Sequence, residues 1–241
     1  MYEKRTYREY FKGSKLTFFD VVVFETDLRI GAEKDLSSLA YKWVVEYRNQ
    51  LEEYIKKDSL FLTSLVPTDP KGSYPYIIQK MCEAAKKAGV GPMAAVAGAL
   101  SELVGLKLLE YSDEVIVENG GDLFVKADCV RKVGIYAGTS PLSGKLALEI
   151  QPGRTPVGIC TSSGTVGHSL SFGKADAAVI ISEDTFLADA VATATGNVVK
   201  DVSHIEKGIE FASGIEGVVG AVIIVGDKMG IWGDVKLTKW D

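Results

Sequence analysis

An α+β protein with mostly antiparallel sheet packed with helices is the fold class that the sequence predicts. Two observations lead there. A strand-like run opens the chain, helical stretches follow, and a dense succession of strands comes next, so regular βαβ alternation is missing. Asn119-Gly120 sits between two apolar runs, a strong signal for a two-residue hairpin. The chain of 241 residues, 46% hydrophobic, can bury a good core. No internal repeat or linker divides it, so residues 1–241 are expected to form one domain, or two closely packed lobes.

The elements follow in order. "KLTFFDVVVFETDLRI" (15–30) is β-branched and aromatic and reads as one long strand, with Glu25 and Asp27 on one face and Phe24, Thr26 and Leu28 on the other. Residues 35–58 have helical periodicity with a charged outer face. "PTDPKGSYP" is a loop, residues 75–88 form a helix, and a further helix starts at "GPMAAVAGALSELVGLKLLEY", with Pro92 in its first turn. From Gly91 to Leu100 that helix carries no charge, so it is expected to be buried. Gly98 costs about 1 kcal/mol against alanine there, which points to a close approach, by another helix or by a ligand.

Strands then dominate: "DEVIVENGGDLFVKA", "RKVGIYAG", "GKLALEI", "VGICTSS" and "AAVIIS". A helix "EDTFLADAVATAT", a short helix "HIEKGIEFAS" and final strands "VVGAVIIVGD" and "MGIWGDVKL" complete the chain.

Bulk charge narrows the function. The formal net charge is −5 and the basic residues are scattered, which argues against nucleic acid as a partner. The N-terminal stretch lacks the apolar core of a signal peptide and no run suits a membrane span, so a cytoplasmic protein is expected. Cys82, Cys129 and Cys160 are far apart and odd in number, forming neither a zinc spacing nor a disulfide framework. A homo-oligomer through exposed strand edges is left open.

Three stretches can carry chemistry. Glu118 and Asp122 flank Gly120 and Gly121, and acidic groups beside bare backbone suit a cation or the hydroxyls of a cofactor; the hairpin alone also accounts for the glycines. Thr185, Asp189 and Thr193 are four apart and line one helix stripe. Asp189 is the only charge between Asp184 and Lys200, so this carboxylate is expected to be buried and to need a partner. That partner is a backbone N–H, Lys174 or a hard metal ion. "TSSGTVGHS" supplies N–H groups and hydroxyls that suit an anion such as phosphate, although it is no Walker motif. His168 lies there without an evident acid or base partner, Cys160 reads as a buried thiol, and His204 as a cap or surface residue.

Taken in order, "ETDL", "VGPMAAVAGAL", "VENGGDLF", "TSSGTVGHSLSFGKAD" and "LADAVATATGN" resemble an uncharacterised prokaryotic ApbE-like family over nearly the whole chain. That family is distantly related to the ApbE flavin transferases, which bind FAD and Mg²⁺ and move FMN onto a protein threonine. The resemblance implies an ApbE-like fold. It implies metal ligands at Asp189 and Thr193, with the backbone carbonyl of Val96 as a third. The transferases have Ala-Lys-Gly where this chain reads Val96-Ala97-Gly98, so their flavin-contacting lysine is Ala97 here. Gly120, Gly121 and Asp122 correspond to their flavin-side Gly-Gly-Asp, and Thr161, Ser162 or Ser163, and Gly164 to their Thr-Ser-Gly. Their transfer histidine precedes an Asp-Pro; His168, the candidate catalytic residue, has none after it.

Three functions follow. The first is an enzyme, transferase-like or hydrolase-like, binding a flavin or other nucleotide-like or phosphorylated small molecule with Mg²⁺, with the 161–174 loop around phosphate and Lys174 as counter-charge. The second is a non-catalytic flavin or metabolite carrier. The third, associated with the ApbE-like family, is an accessory role in anaerobic sulfur assimilation from sulfide to homocysteine, with Cys160 as a sulfur-handling thiol.

Overall fold

A computed structural model describes residues 15–164 and 173–240. Eleven described strands form two sheets, and every pairing is antiparallel. The larger sheet contains β1 (Thr17–Val23), β2 (Thr26–Ala32), β3 (Val115–Asn119), β4 (Asp122–Lys126), β7 (Val157–Ser162), β8 (Ala177–Ser182), β9 (Val218–Val225) and β10 (Lys228–Gly233), in the order β1-β2-β3-β4-β7-β8-β9-β10. The smaller has the order β11-β6-β5, from β5 (Arg131–Gly134), β6 (Leu146–Ile150) and β11 (Leu237–Lys239). The helices are α1 (Ser37–Lys57), α2 (Leu60–Thr63), α3 (Tyr76–Ala88), α4 (Val96–Leu108), α5 (Thr185–Val198) and α6 (Ile205–Ser213). The α+β class with antiparallel sheet is therefore what the chain adopts.

Strand alternation sends side chains to two separate cores. On β7 and β8, Ile159, Ala177, Val179 and Ile181 join Leu148 and Ile150 of the small sheet. Cys160 and Ile180 point the other way, into a cluster built by α3, α4 and α5. The large sheet is thus sandwiched between a helical layer and the small sheet. Glu114 and Arg131 form a buried ion pair that ties the two sheets together, and Glu114 also accepts the backbone N–H groups of Asp128 (2.5 Å) and Cys129 (3.1 Å).

Three elements differ from expectation. The strand expected over 15–30 is a hairpin: Val23 pairs with Thr26, and Phe24-Glu25 make the turn. Phe24 takes a φ of 53°, in a place where glycine is the usual choice, and this hides the turn from a composition-based reading. Glu25 and Asp27 consequently do not share a strand face: Glu25 is in the exposed turn, and Asp27 is buried in β2. The helix expected from residue 91 begins as a 3₁₀ turn, Pro92–Ala95, before α4. The final strand breaks at Gly233, whose φ of 84° sends β11 into the other sheet.

Asp184 caps α5, accepting the N–H of Leu187 at 3.0 Å and meeting Lys80 at 2.6 Å. Glu102 from α4 accepts the next free N–H, that of Thr185, at 2.6 Å. Two carboxylates at the positive end of α5 fix how α4 and α5 meet. Among the described residues no single helix is long and apolar enough to cross a membrane.

Candidate functional site

The candidate site assembles where the β3–β4 turn, the end of β7, the start of α4 and the middle of α5 converge. The turn is built by Gly120 and Gly121, with φ of 69° and 106°, which allows the backbone to reverse without strain. Glu118 accepts the N–H of Gly121 at 2.9 Å, so this carboxylate closes the turn. A Cβ on Gly121 would lie 3.7 Å from the Thr161 carbonyl, so the turn stands directly against β7.

Asp122 opens β4 on the helix-facing side, beside Cys160. Cys160 and Thr161 are its neighbours on β7, and the Cys160 thiol donates to the Thr185 carbonyl at 3.7 Å. Asp189, one turn into α5, accepts the N–H groups of Gly98, at 2.8 Å, and of Ala97. Both carboxylates are buried, at 8% exposure each. Burial pushes Asp122 well above the usual carboxylate range, and the neighbouring charge of Asp189 adds to it. Burial pushes Asp189 up to about 7, against the pull of the Gly98 and Ala97 N–H groups. The partner for Asp189, left open by the sequence, is a pair of backbone N–H groups.

The close approach at Gly98 is that of α5. A Cβ there would fall 2.4 Å from the carbonyl oxygen of Thr185 and 2.8 Å from Cβ of Asp189. Asn119 donates from Nδ2 to the carbonyl of Ala97 at 3.2 Å, joining the hairpin to the start of α4. The Ser101 hydroxyl lies 3.0 Å from the carbonyl oxygens of both Ala97 and Asp122. Neither contact was visible in sequence; Asn119 and Ser101 carried no signal beyond a turn and a small helical residue.

The structure brings together Asp122, Thr161, Gly98 and Asp189, and places Thr193 half-buried one turn further along α5. Thr161, Ser162 and Ser163 are likewise half-buried, and Gly164 is exposed. Val96 is half-buried at the start of α4, directly before Ala97 and Gly98. Lys174 is exposed, and its backbone N–H bonds the carbonyl of Val199, beyond the far end of α5, at 2.8 Å. His168 lies outside the described residues. Cys160 is fully buried; burial first, then the charge of Asp122, raises its thiol far above the ordinary value. Such a thiol is inert. His204 precedes α6, with Nδ1 3.1 Å from Asp201.

Gly164 and Gly173 bracket the undescribed part of the loop at a tight neck. A Cβ on Gly164 would meet Gly173 at 2.2 Å, and one on Gly173 would meet the Gly196 carbonyl of α5 at 1.7 Å. The loop therefore leaves the sheet beside the last turn of α5.

A family model described as "AbpE bacteria" matches residues 8–214. The chain belongs to this family. Its relatives include the UPF0280 protein of Methanocella arvoryzae, 43% identical over 213 residues, 87% of this chain and 85% of that one. The UPF0280 protein of Methanothrix thermoacetophila is 45% identical over 199 residues, covering 82% and 83%. Among solved structures, apo flavinyl transferase ApbE of Pseudomonas stutzeri superposes with a TM-score of 0.57 at 13% identity, over 93% of this chain and 94% of that one. The ApbE protein of Thermotoga maritima gives 0.58 at 12% identity, over 89% and 96%. The AbpE-family chain thus has the ApbE fold, at an identity that speaks for fold alone.

Proposed function

We propose that the AbpE-family chain binds a flavin or similar nucleotide together with Mg²⁺ at the Asp122–Asp189 site. The observation that carries the proposal is the meeting of two buried carboxylates from elements far apart in sequence, each disfavoured as an anion where it stands. A hard divalent cation supplies the charge that lets both ionise.

The donor set fits such an ion. Among the described residues no group of three or more His, Cys, Asp or Glu side chains is arranged to hold a metal. Mg²⁺ does not require one, since it is commonly held by one or two carboxylates plus ligand phosphates. Asp189 would be the principal ligand with the Thr193 hydroxyl, and Asp122 the second carboxylate. The Val96 carbonyl, at the start of α4, would be a further ligand. When bound, the cation would neutralise and polarise a pyrophosphate of the ligand.

The chain's own groups have separate parts. Bare backbone at Gly120 and Gly121 lets a ligand approach the β3–β4 turn. Thr161, Ser162, Ser163 and Gly164 offer hydroxyls and N–H groups along the end of β7, suited to phosphate oxygens. Lys174 would supply counter-charge from the loop, and His168 would be its acid–base group.

A second reading, a flavin or metabolite carrier without turnover, is favoured by one feature. Half-buried Ala97 stands where the resemblance puts the transferases' lysine, so it offers no ammonium there. An accessory role in sulfur assimilation would not run through Cys160, given its burial.

Calorimetry with FAD, FMN and ADP, with and without Mg²⁺, tests the proposal on the intact chain. Mg²⁺-dependent binding of at least one, lost in Asp189→Ala, is expected. Absence of binding to all three would refute it. Release of FMN and AMP from FAD separates enzyme from carrier.

A further inference from the structure

Away from this site, one edge of the large sheet is built unlike the edge of a solitary protein. β10 ends the sheet beside β9, and no other described strand pairs with it. Met229, Ile231 and Trp232 are 36%, 47% and 36% exposed, and Val219 on β9 is 38% exposed. They occupy both faces. Ile231 and Met229 stand opposite Val222 and Ile224, on the small-sheet side, whereas Trp232 stands opposite Ala221 on the helix side. Lone edges are normally guarded by a central charge, a proline or a bulge. Between Lys228 and Gly233, β10 reads Met-Gly-Ile-Trp and has none of these.

We infer that β10 is the surface at which a second copy of this chain pairs, antiparallel, about a two-fold axis through Ile231. Three properties of the strand select a copy of itself as occupant. Pairing centred on Ile231 sets Lys228 opposite the partner's Asp234 at both ends, and these side chains are 62% and 54% exposed. A parallel arrangement would instead put Lys228 beside Lys228. The same register sets Trp232 opposite the partner's Gly230, Met229 opposite the partner's Gly233, and Ile231 opposite the partner's Ile231. The space over Gly230 is filled by Ile205 and Ile209 of α6, which a Cβ there would meet at 2.5 and 3.1 Å, so an indole arriving at the edge meets these side chains as an apolar wall. Such an interface is self-complementary, as a closed dimer requires. In a single chain Lys228 meets Asp227 at 3.1 Å and Asp234 meets Arg154, both surface pairs that a partner strand can share.

Sedimentation velocity on the full chain, from low-micromolar to sub-millimolar concentration, reads the oligomeric state. A dimer is expected, with Ile231→Lys monomeric at unchanged circular dichroism and Val22→Lys, on the opposite edge strand, still dimeric. Oxidative crosslinking gives a second readout if Ile231→Lys does not fold. In a Cys129→Ser background, Ile231→Cys should form a disulfide-linked dimer, because residues opposed across antiparallel strands lie within disulfide reach. A chain monomeric throughout, a dimer indifferent to Ile231→Lys, or crosslinking that is faster at Val22→Cys than at Ile231→Cys would overturn the assignment.

Discussion

Replacing Gly98 by alanine tests the packing that creates the site. Two effects oppose each other. Alanine is the better helix residue by about 1 kcal/mol, so an open position would be stabilised by the change. At Gly98 the new Cβ would lie 2.4 Å from the Thr185 carbonyl oxygen and 2.8 Å from Cβ of Asp189. The first of these neighbours is backbone and cannot swing aside, so α4 and α5 must separate. Overpacking of this kind costs about 1–3 kcal/mol. The separation also stretches the 2.8 Å hydrogen bond from Gly98 to Asp189, a bond to a buried carboxylate worth about 1.5–3 kcal/mol. The net expectation is a loss of about 2–3 kcal/mol, or about 4–12 °C in Tm for a chain of this size. Gly208→Ala is the internal control. Its Cβ would meet side chains rather than backbone, Ile223 and Val199 at 2.6 and 2.7 Å and Thr195 at 3.7 Å, so it should lose less than Gly98→Ala while the helix gains propensity. Urea unfolding of both variants in EDTA measures the difference. A Gly98→Ala protein as stable as wild type would refute backbone-to-backbone contact of α4 and α5 at the site.

Two further predictions concern the buried groups around that contact. Because Asp189 is held up at about 7, the native chain keeps its proton while the unfolded chain gives it up, so this group's contribution to stability without cation is fully present in acid and is lost as pH rises to about 7. The full shift corresponds to roughly 4 kcal/mol, and less where Asp122 shares the proton. Asp189→Asn should flatten that slope and be the more stable protein at about pH 8 in EDTA, whereas added Mg²⁺ should stabilise only wild type; a less stable Asn variant there would show that its N–H partners outweigh burial. Thiol titration should find one fast cysteine, the exposed Cys129, in the native chain and three after denaturation. A second fast thiol would contradict the burial of Cys82, which raises that group to about 11, or of Cys160.

What the sequence disclosed depended on whether the physics was local. The stripe of Thr185, Asp189 and Thr193 and the turn at Gly120 are readable because helix period and turn chemistry act within a few residues. Gly98 announced a close approach for the same reason, though not what approached. The β1–β2 turn was unreadable because Phe24 takes a conformation that glycine normally marks. The break at Gly233 was missed because one glycine in a β-branched run says nothing about which sheet follows. The contacts of Asp122 with Cys160 and of Asn119 with Ala97 join residues that only the pairing of β4 with β7 and the seating of α4 bring together. No local pattern encodes those. The bond from the Gly98 N–H to Asp189 is hidden for the same reason, since it joins the start of α4 to α5.

That last point bears on why two carboxylates are buried here at all. A helix start presents free N–H groups, and α4 spends those of Ala97 and Gly98 on Asp189 rather than on a local cap; no side chain caps α4. One carboxylate so placed would be a long-range cap and would call for no ligand. Asp122 changes the balance, because no N–H of α4 bonds it, and the neighbouring Cys160 thiol, itself a weak donor, bonds the Thr185 carbonyl. Replacing Asp122 by a neutral residue would relieve the crowding at little structural cost, since β4 would keep its backbone pairing. Retaining the second acid beside the first therefore favours an occupant that brings positive charge. Lys174 is anchored at the other end of α5, and Ala97 has no charge to offer. On the proposed function, a cation carried in with an anionic ligand would answer both carboxylates at once, which makes the Asp122–Asp189 pair the place to test first.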